Sequence, residues 1–217
     1  MRFEEDIVER WYILNGYLTA RNIMYTSPRK KPGGKGRGEI DLLAVKLEDG
    51  TIKDSVWCEV SVSVSAKFPF ISRKRENIDD IKRLIIKKFF SKGAEDKVTE
   101  YLGGKNYRLE LITSCFKENV TEILKDNLPR FNARLIRATR CNVNSSPECL
   151  EIEVEYNPSD PEIEVGGRKV IRIIPFQLVL NNLISMFKNR EDFMKKNFTD
   201  PTMRAIQWLG YVGTCTY

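Results

Sequence analysis

GEIDLLAVKLEDGTIKDSVWCEVSVS, residues 38–63, is two apolar-alternating runs around an acidic turn. From Glu39 to Lys46, Ile40, Leu42 and Ala44 alternate against Glu39, Asp41 and Leu43, and Glu48, Asp49 and Gly50 supply the turn. In the second arm Val56, Cys58, Val60, Val62 and Val64 share one parity, while Trp57, Glu59, Ser61, Ser63 and Ser65 share the other. Side chains alternate across a strand, so the pattern predicts a hairpin with one core face and one polar face. Asp41 and Glu59 both fall on the polar parity of their arms.

Upstream, Phe3, Ile7, Trp11, Leu14 and Leu18 recur at helical spacing and Gly16 with Tyr17 is the stop, which predicts a helix over residues 3–15. Residues 23–26 predict a short strand. The next stretch, PRKKPGGKGRG at 28–38, predicts a loop carrying Arg29, Lys30, Lys31, Lys35 and Arg37. Such a loop suits phosphate contacts without sequence readout, or is simply a solvated surface. Its glycines lack the spacing of a Walker A loop, which argues against nucleotide hydrolysis.

Downstream, Ile78, Ile81, Leu84, Ile85 and Lys88 are spaced for a basic amphipathic helix over 71–90. Its charges Arg73, Lys74, Arg75, Lys82, Arg83, Lys87 and Lys88 could flank a duplex or solvate the helix. Strands are expected at 107–115 and 133–139 with a helix at 118–127 between them, an α/β alternation. Beyond residue 140, Ser145, Ser146, Pro147, Pro158, Pro161, Gly166 and Gly167 break the chain into short segments at 150–156 and 169–174, a hairpin-like insert. Helices over 176–197 and 201–211 follow, Pro201 standing in a first turn. The fold class expected is α/β, a central mixed sheet flanked by helices, with a core over 1–140 and a strand-plus-helix extension over 141–217 packed on it.

Composition narrows the chemistry. The chain of 217 residues contains no histidine, which excludes Ser-His-Asp and Cys-His hydrolysis and imidazole metal sites. Cys58, Cys115, Cys141, Cys149 and Cys215 contain no CxxC pair, so free thiols in a reducing compartment are expected. Net charge of +6 favours a polyanionic partner. No apolar run approaches the roughly 18 residues of a spanning helix, and the N-terminus is acidic, so the expectation is a cytoplasmic protein off the membrane.

Taken in order, the helix with an early acid, the Gly16-Tyr17 turn, the basic loop, GEIDLLAV, the turn and VWCEVSVS resemble the PD-(D/E)xK (restriction endonuclease-like) nucleases over residues 3–90. The nearest branches are those of archaeal Holliday-junction resolvases and small predicted endonucleases. The resemblance implies a restriction endonuclease-like core and a metal-dependent DNA endonuclease or resolvase, a hydrolase of phosphodiester bonds acting on duplex or branched DNA, with a homodimer as the usual assembly. It implies Asp41 and Glu59 as ligands of Mg²⁺ or Mn²⁺, the Val60 carbonyl as a further ligand, and an acid in the first helix. Spacing to Gly16 points to Glu5 for that acid, although Glu4 lies closer to the apolar stripe.

The pattern breaks two residues after Glu59, where the family has lysine and this chain has Ser61. Serine cannot supply the positive charge. Lys67, on the strand parity of Glu59, is the preferred substitute, with Lys74, Arg73 and Arg75 as others. Eight extended residues span roughly 26 Å, so Lys67 approaches Glu59 only if the chain bends back. The alternative is a catalytically degenerate nuclease fold that serves as a nucleic-acid or protein binding module.

Overall fold

The computed structural model describes residues 3–28, 35–63, 65–70, 79–141, 148–189 and 199–212. Helix α1 (Phe3–Leu14) leads into β1 (Tyr17–Pro28), β2 (Lys35–Glu48) and β3 (Thr51–Ser61). A π-helical stretch, Ile81–Ile86, runs directly into a short α-turn, Lys87–Phe89, which together form α2, and α3 (Lys92–Leu102) follows. Then come β4 (Arg108–Thr113), α4 (Val120–Asn127), β5 (Ala133–Cys141), β6 (Cys149–Tyr156), β7 (Gly167–Pro175), α5 (Phe176–Asn189) and α6 (Pro201–Val212).

All seven strands join one mixed sheet in the order β1-β2-β3-β4-β7-β6-β5. The meander β1-β2-β3 is antiparallel, β3-β4 and β4-β7 are parallel, and β7-β6-β5 is antiparallel. The expected α/β class with a mixed sheet flanked by helices is therefore the architecture present. Residue 140, the expected boundary, falls inside β5, and β7 from the expected extension lies between β4 and β6 near the middle of the sheet. One sheet thus runs through both segments.

Parallel strands are normally covered on both faces, and this sheet is. Val56, Cys58 and Val60 pack with Leu42, Ala44 and Ile112 under Ile7, Val8 and Tyr12 of α1 and Leu178 and Leu183 of α5. On the opposite face Trp57, Leu43 and Leu111 lie under Ile81, Ile85, Phe89 and Val98. The polar face expected for β3 is accordingly wrong for its C-terminal half: Trp57 and Glu59 are 0% and 1% exposed, because α2 closes over them.

Other boundaries shift for local reasons. β1 extends well beyond the expected 23–26 segment, since β2 pairs with it from Tyr17↔Lys46 to Pro28↔Lys35. Lys35–Gly38, expected as loop, is therefore strand, its backbone groups satisfied by the partner despite two glycines. Helix α3 falls where no element was expected. Ser91 Oγ accepts from Ala94 N–H at its start and Gly103, at φ 71°, ends it in the left-handed region. Expected helix at 71–78 and 190–197 lies outside the described residues. Among the described residues no helix is long and apolar enough to cross a membrane.

Helix α3 approaches β1 through Gly93, where a Cβ would fall 2.6 Å from the Thr26 carbonyl oxygen. Gly93→Ala is therefore expected to lower stability by about 1–2 kcal/mol in urea unfolding, although alanine is the better helix former. An unchanged or raised midpoint would show that the helix is free to move away.

Candidate active site

The antiparallel ladder of β2 and β3 reaches Leu42↔Cys58, and one step further Asp41 faces Glu59 across the two strands. There Asp41 turns into the gap, and its Oδ2 accepts the backbone N–H of Val60 at 2.8 Å. On the outer side Asn22, at φ 52°, interrupts the pairing of β1 between Arg21↔Leu42 and Ile23↔Ile40, at the level of Asp41. Asparagine tolerates this left-handed conformation better than most residues.

Glu59 points the other way from the α1 face and is buried beneath α2. Its Oε1 accepts from Trp57 Nε1 at 2.7 Å, while Oε2 lies directly against Lys88 Nζ. The same ammonium is 3.5 Å from Asp41 Oδ1 and donates to the Glu39 carbonyl at 3.1 Å. Lys88 thus bridges both carboxylates from a separate helix. Up to Ile86, immediately before the α-turn of α2, the backbone is in the wider π form, which alters the phase of the side chains that follow. In this arrangement Ile85, Ile86 and Phe89 are buried and Lys88 reaches Asp41 and Glu59.

Electrostatically the pair is unequal. Burial pushes the Glu59 carboxyl up to about 8, the Asp41 charge adds to this, and Lys88 opposes it without overcoming it. The Lys88 ammonium is more exposed, at 27% of its side chain; desolvation works against its charge, but the two carboxylates hold its pKa above the usual lysine range.

Asp41 and Lys88 open onto a cleft of about 550 Å³, with Glu59 buried behind Lys88 and not part of the lining. Glu5, Asp41, Val60, Ser61, Lys87 and Lys88 line it, together with Arg83 and Tyr25, whose ring lies across Gly38 where a Cβ would fall 2.2 Å from it. Helix α1 is fixed beside the cleft by Arg21 of β1, which pairs with Asp6 at 2.5 Å and Glu9 at 2.8 Å. The structure brings Glu5, Asp41, Glu59, Val60 and Ser61 to one place. Lys67 is different: it is exposed in the segment after β3 and is not among the cleft residues. The cation against the carboxylates is Lys88.

Of the basic set expected to grip a backbone, Arg37 is exposed on β2 and Lys35 begins that strand, whereas Arg29, Lys30 and Lys31 lie outside the described residues. Arg73, Lys74 and Arg75 lie outside them as well. The signal for Lys88 was present in the sequence: it falls four residues after Leu84 and three after Ile85, on the stripe that faces the sheet. A lysine there must either leave the core or find carboxylates.

Comparison with known protein families, with curated proteins and with solved structures finds no match to this chain. The chemistry must therefore be taken from the donor set. Two carboxylates and a strand carbonyl are hard oxygen donors of the kind Mg²⁺ and Mn²⁺ accept while keeping several waters. Among the described residues no cluster of three or more carboxylate or thiol side chains is gathered tightly enough to hold a metal unaided.

Lys88→Met would leave Glu59 in the core without its cation, and its effect on stability is expected to depend on pH. A folded pKa of about 8, above the unfolded carboxyl value, means stability is lost as pH rises between the two. Removing the ammonium raises the folded value further, so the loss continues above pH 8. Urea unfolding of Lys88→Met should show a deficit of about 3 kcal/mol at pH 9 that shrinks at pH 6. An equal deficit at both pH values would mean that Lys88 acts through packing.

Proposed function

We propose that this chain is a metal-dependent DNA endonuclease with a restriction endonuclease-like core, in which Lys88 of α2 takes the place of the lysine absent at Ser61. The observation that carries this reading is the contact of one ammonium with both Asp41 and Glu59. The element order supports it too: a first helix followed by the strands of Asp41 and Glu59, paired as an antiparallel hairpin, is the order the resemblance implies.

Asp41 and Glu59 would hold the ion with the Val60 carbonyl. When bound, Mg²⁺ or Mn²⁺ supplies charge to a phosphate and lowers the pKa of a water. The chain's own residues do the rest. Lys88 is held by its contacts with Glu39, Asp41 and Glu59, and its ammonium is placed to offset charge developing on a phosphate oxygen. Arg83 and Lys87 on the cleft wall offer phosphate contacts that would orient the backbone without reading bases. Deprotonated Glu59 and Asp41 leave one excess negative charge against Lys88, which a divalent cation offsets.

Two measurements test this reading. The chain is incubated with duplex, branched and single-stranded DNA in Mg²⁺, Mn²⁺ or chelator, beside Asp41→Ala and Lys88→Met. Metal-dependent cutting should fall about 10²-fold or more in each variant, and Ser61→Lys should restore part of it to Lys88→Met. DNA left intact by every form but bound in chelator would instead identify a binding module. Separately, Mn²⁺ affinity by calorimetry should rise about tenfold per pH unit below pH 8 and then level, because binding displaces the Glu59 proton. A pH-independent affinity would place the ion elsewhere.

A further inference from the structure

At the far edge of the sheet two cysteines face each other. Cys141 closes β5 and Cys149 opens β6, and the antiparallel register pairs them directly, Cys141↔Cys149. Residues directly opposite in such a ladder have Cα atoms about 4.5–5.5 Å apart. That spacing lies inside the range of about 4.4–6.8 Å that a disulfide spans. The sulfurs are free thiols, and Cys149 Sγ stands 3.6 Å from the Cys141 carbonyl oxygen.

We infer that Cys141 and Cys149 are a dithiol modification site that forms a reversible cross-strand disulfide with glutathione disulfide or a similar small disulfide as oxidant. This does not depend on the nuclease reading. The two sulfurs have different access: Cys149 is 0% exposed and Cys141 is partly open to solvent. Cys141 is therefore the first to react. Its thiolate attacks one sulfur of glutathione disulfide, that S–S bond breaks, and one glutathione leaves. Cys149 then gives up its proton and attacks the Cys141 sulfur of the mixed disulfide, expelling the second glutathione. Two electrons pass from the cysteine pair to the oxidant, and the two thiol protons end on the two glutathiones.

Among the described residues the surroundings favour this pair over the other two thiols. Arg172 of β7 donates through Nη2 to Cys149 Sγ at 3.7 Å, so the buried sulfur is oriented from the neighbouring strand. Cys58 lies at the centre of the α1-side core, and Cys115 contacts Gln177 Oε1 at 3.7 Å. Cys115 and Cys149 share the wall of a cleft of about 360 Å³, which makes Cys115 the competitor to be tested. Burial, with Cys149 alongside, pushes the Cys141 thiol up to about 11, so the pair exchanges slowly at neutral pH.

The test uses the full chain, equilibrated overnight with reduced and oxidised glutathione in varying ratio, acid-quenched, alkylated and cut after glutamate, which separates the two cysteines at Glu148. The expected product is a species lighter by two hydrogen atoms, with a peptide pair linked through Cys141 and Cys149 and reversed by excess reduced glutathione. The link should vanish in Cys141→Ser and Cys149→Ser and survive in Cys58→Ser and Cys115→Ser. Two results would overturn the inference. One is a native wild-type chain whose Cys141 and Cys149 remain alkylatable at the most oxidising ratio, when the urea-unfolded chain forms links. The other is a predominant Cys115–Cys149 link.

Discussion

A carboxylate that is 1% exposed on a strand inside the sheet is costly to bury, and Glu59 occupies that position. Its surroundings are arranged around the cost. Trp57 donates to one oxygen, Lys88 lies against the other, and the carboxyl holds its proton up to about pH 8. A stability optimum would place an apolar residue under α2, as Trp57 and Leu111 are placed on the same face. Burial of this acid is thus a cost that the packing of the fold does not require.

The same reasoning distinguishes Glu59 from the other buried glutamates. Glu95 is paired with Lys169 at 2.5 Å and Lys105 at 3.1 Å, and its pKa lies below the ordinary value as those two cations outweigh burial. Glu110 accepts from Tyr12 at 2.5 Å and has Arg108 at 3.1 Å. Each of those acids joins elements that must stay together, α3 to β7 or α1 to β4. Glu59 shares its lysine with a second carboxylate, Asp41, which lines an open cleft.

Much of the fold is legible because period-two alternation survives wherever a strand has one consistent environment. The β2-β3 hairpin, β6 and β7 are such cases, and the facing of Asp41 and Glu59 follows from the hairpin alone. What the alternation cannot convey is which strands become neighbours. The polar parity of β3 reads as a solvent face until α2 and the parallel β4 cover it. Similarly, β1 is long because β2 pairs along all of it, although its own residues carry little alternation. Lys88 is 29 residues from Glu59 in the chain, a separation at which strand parity carries no information, and only the closure of α2 onto the sheet brings them together. Lys67, nearer in sequence and of the right parity, is left outside because the chain leaves the sheet after Ser61.

The position of β7 also constrains how the chain acquires its structure. β4 is complete by Thr113, but its outer edge is covered only by residues 167–175, and β5 reaches the sheet only through β6, which itself pairs with β7. During synthesis the nascent chain must therefore carry β4 with one row of hydrogen-bonding groups unmet until some sixty residues more have been made. Such an interval favours slow, late closure of the sheet and exposes an apolar edge to neighbouring chains.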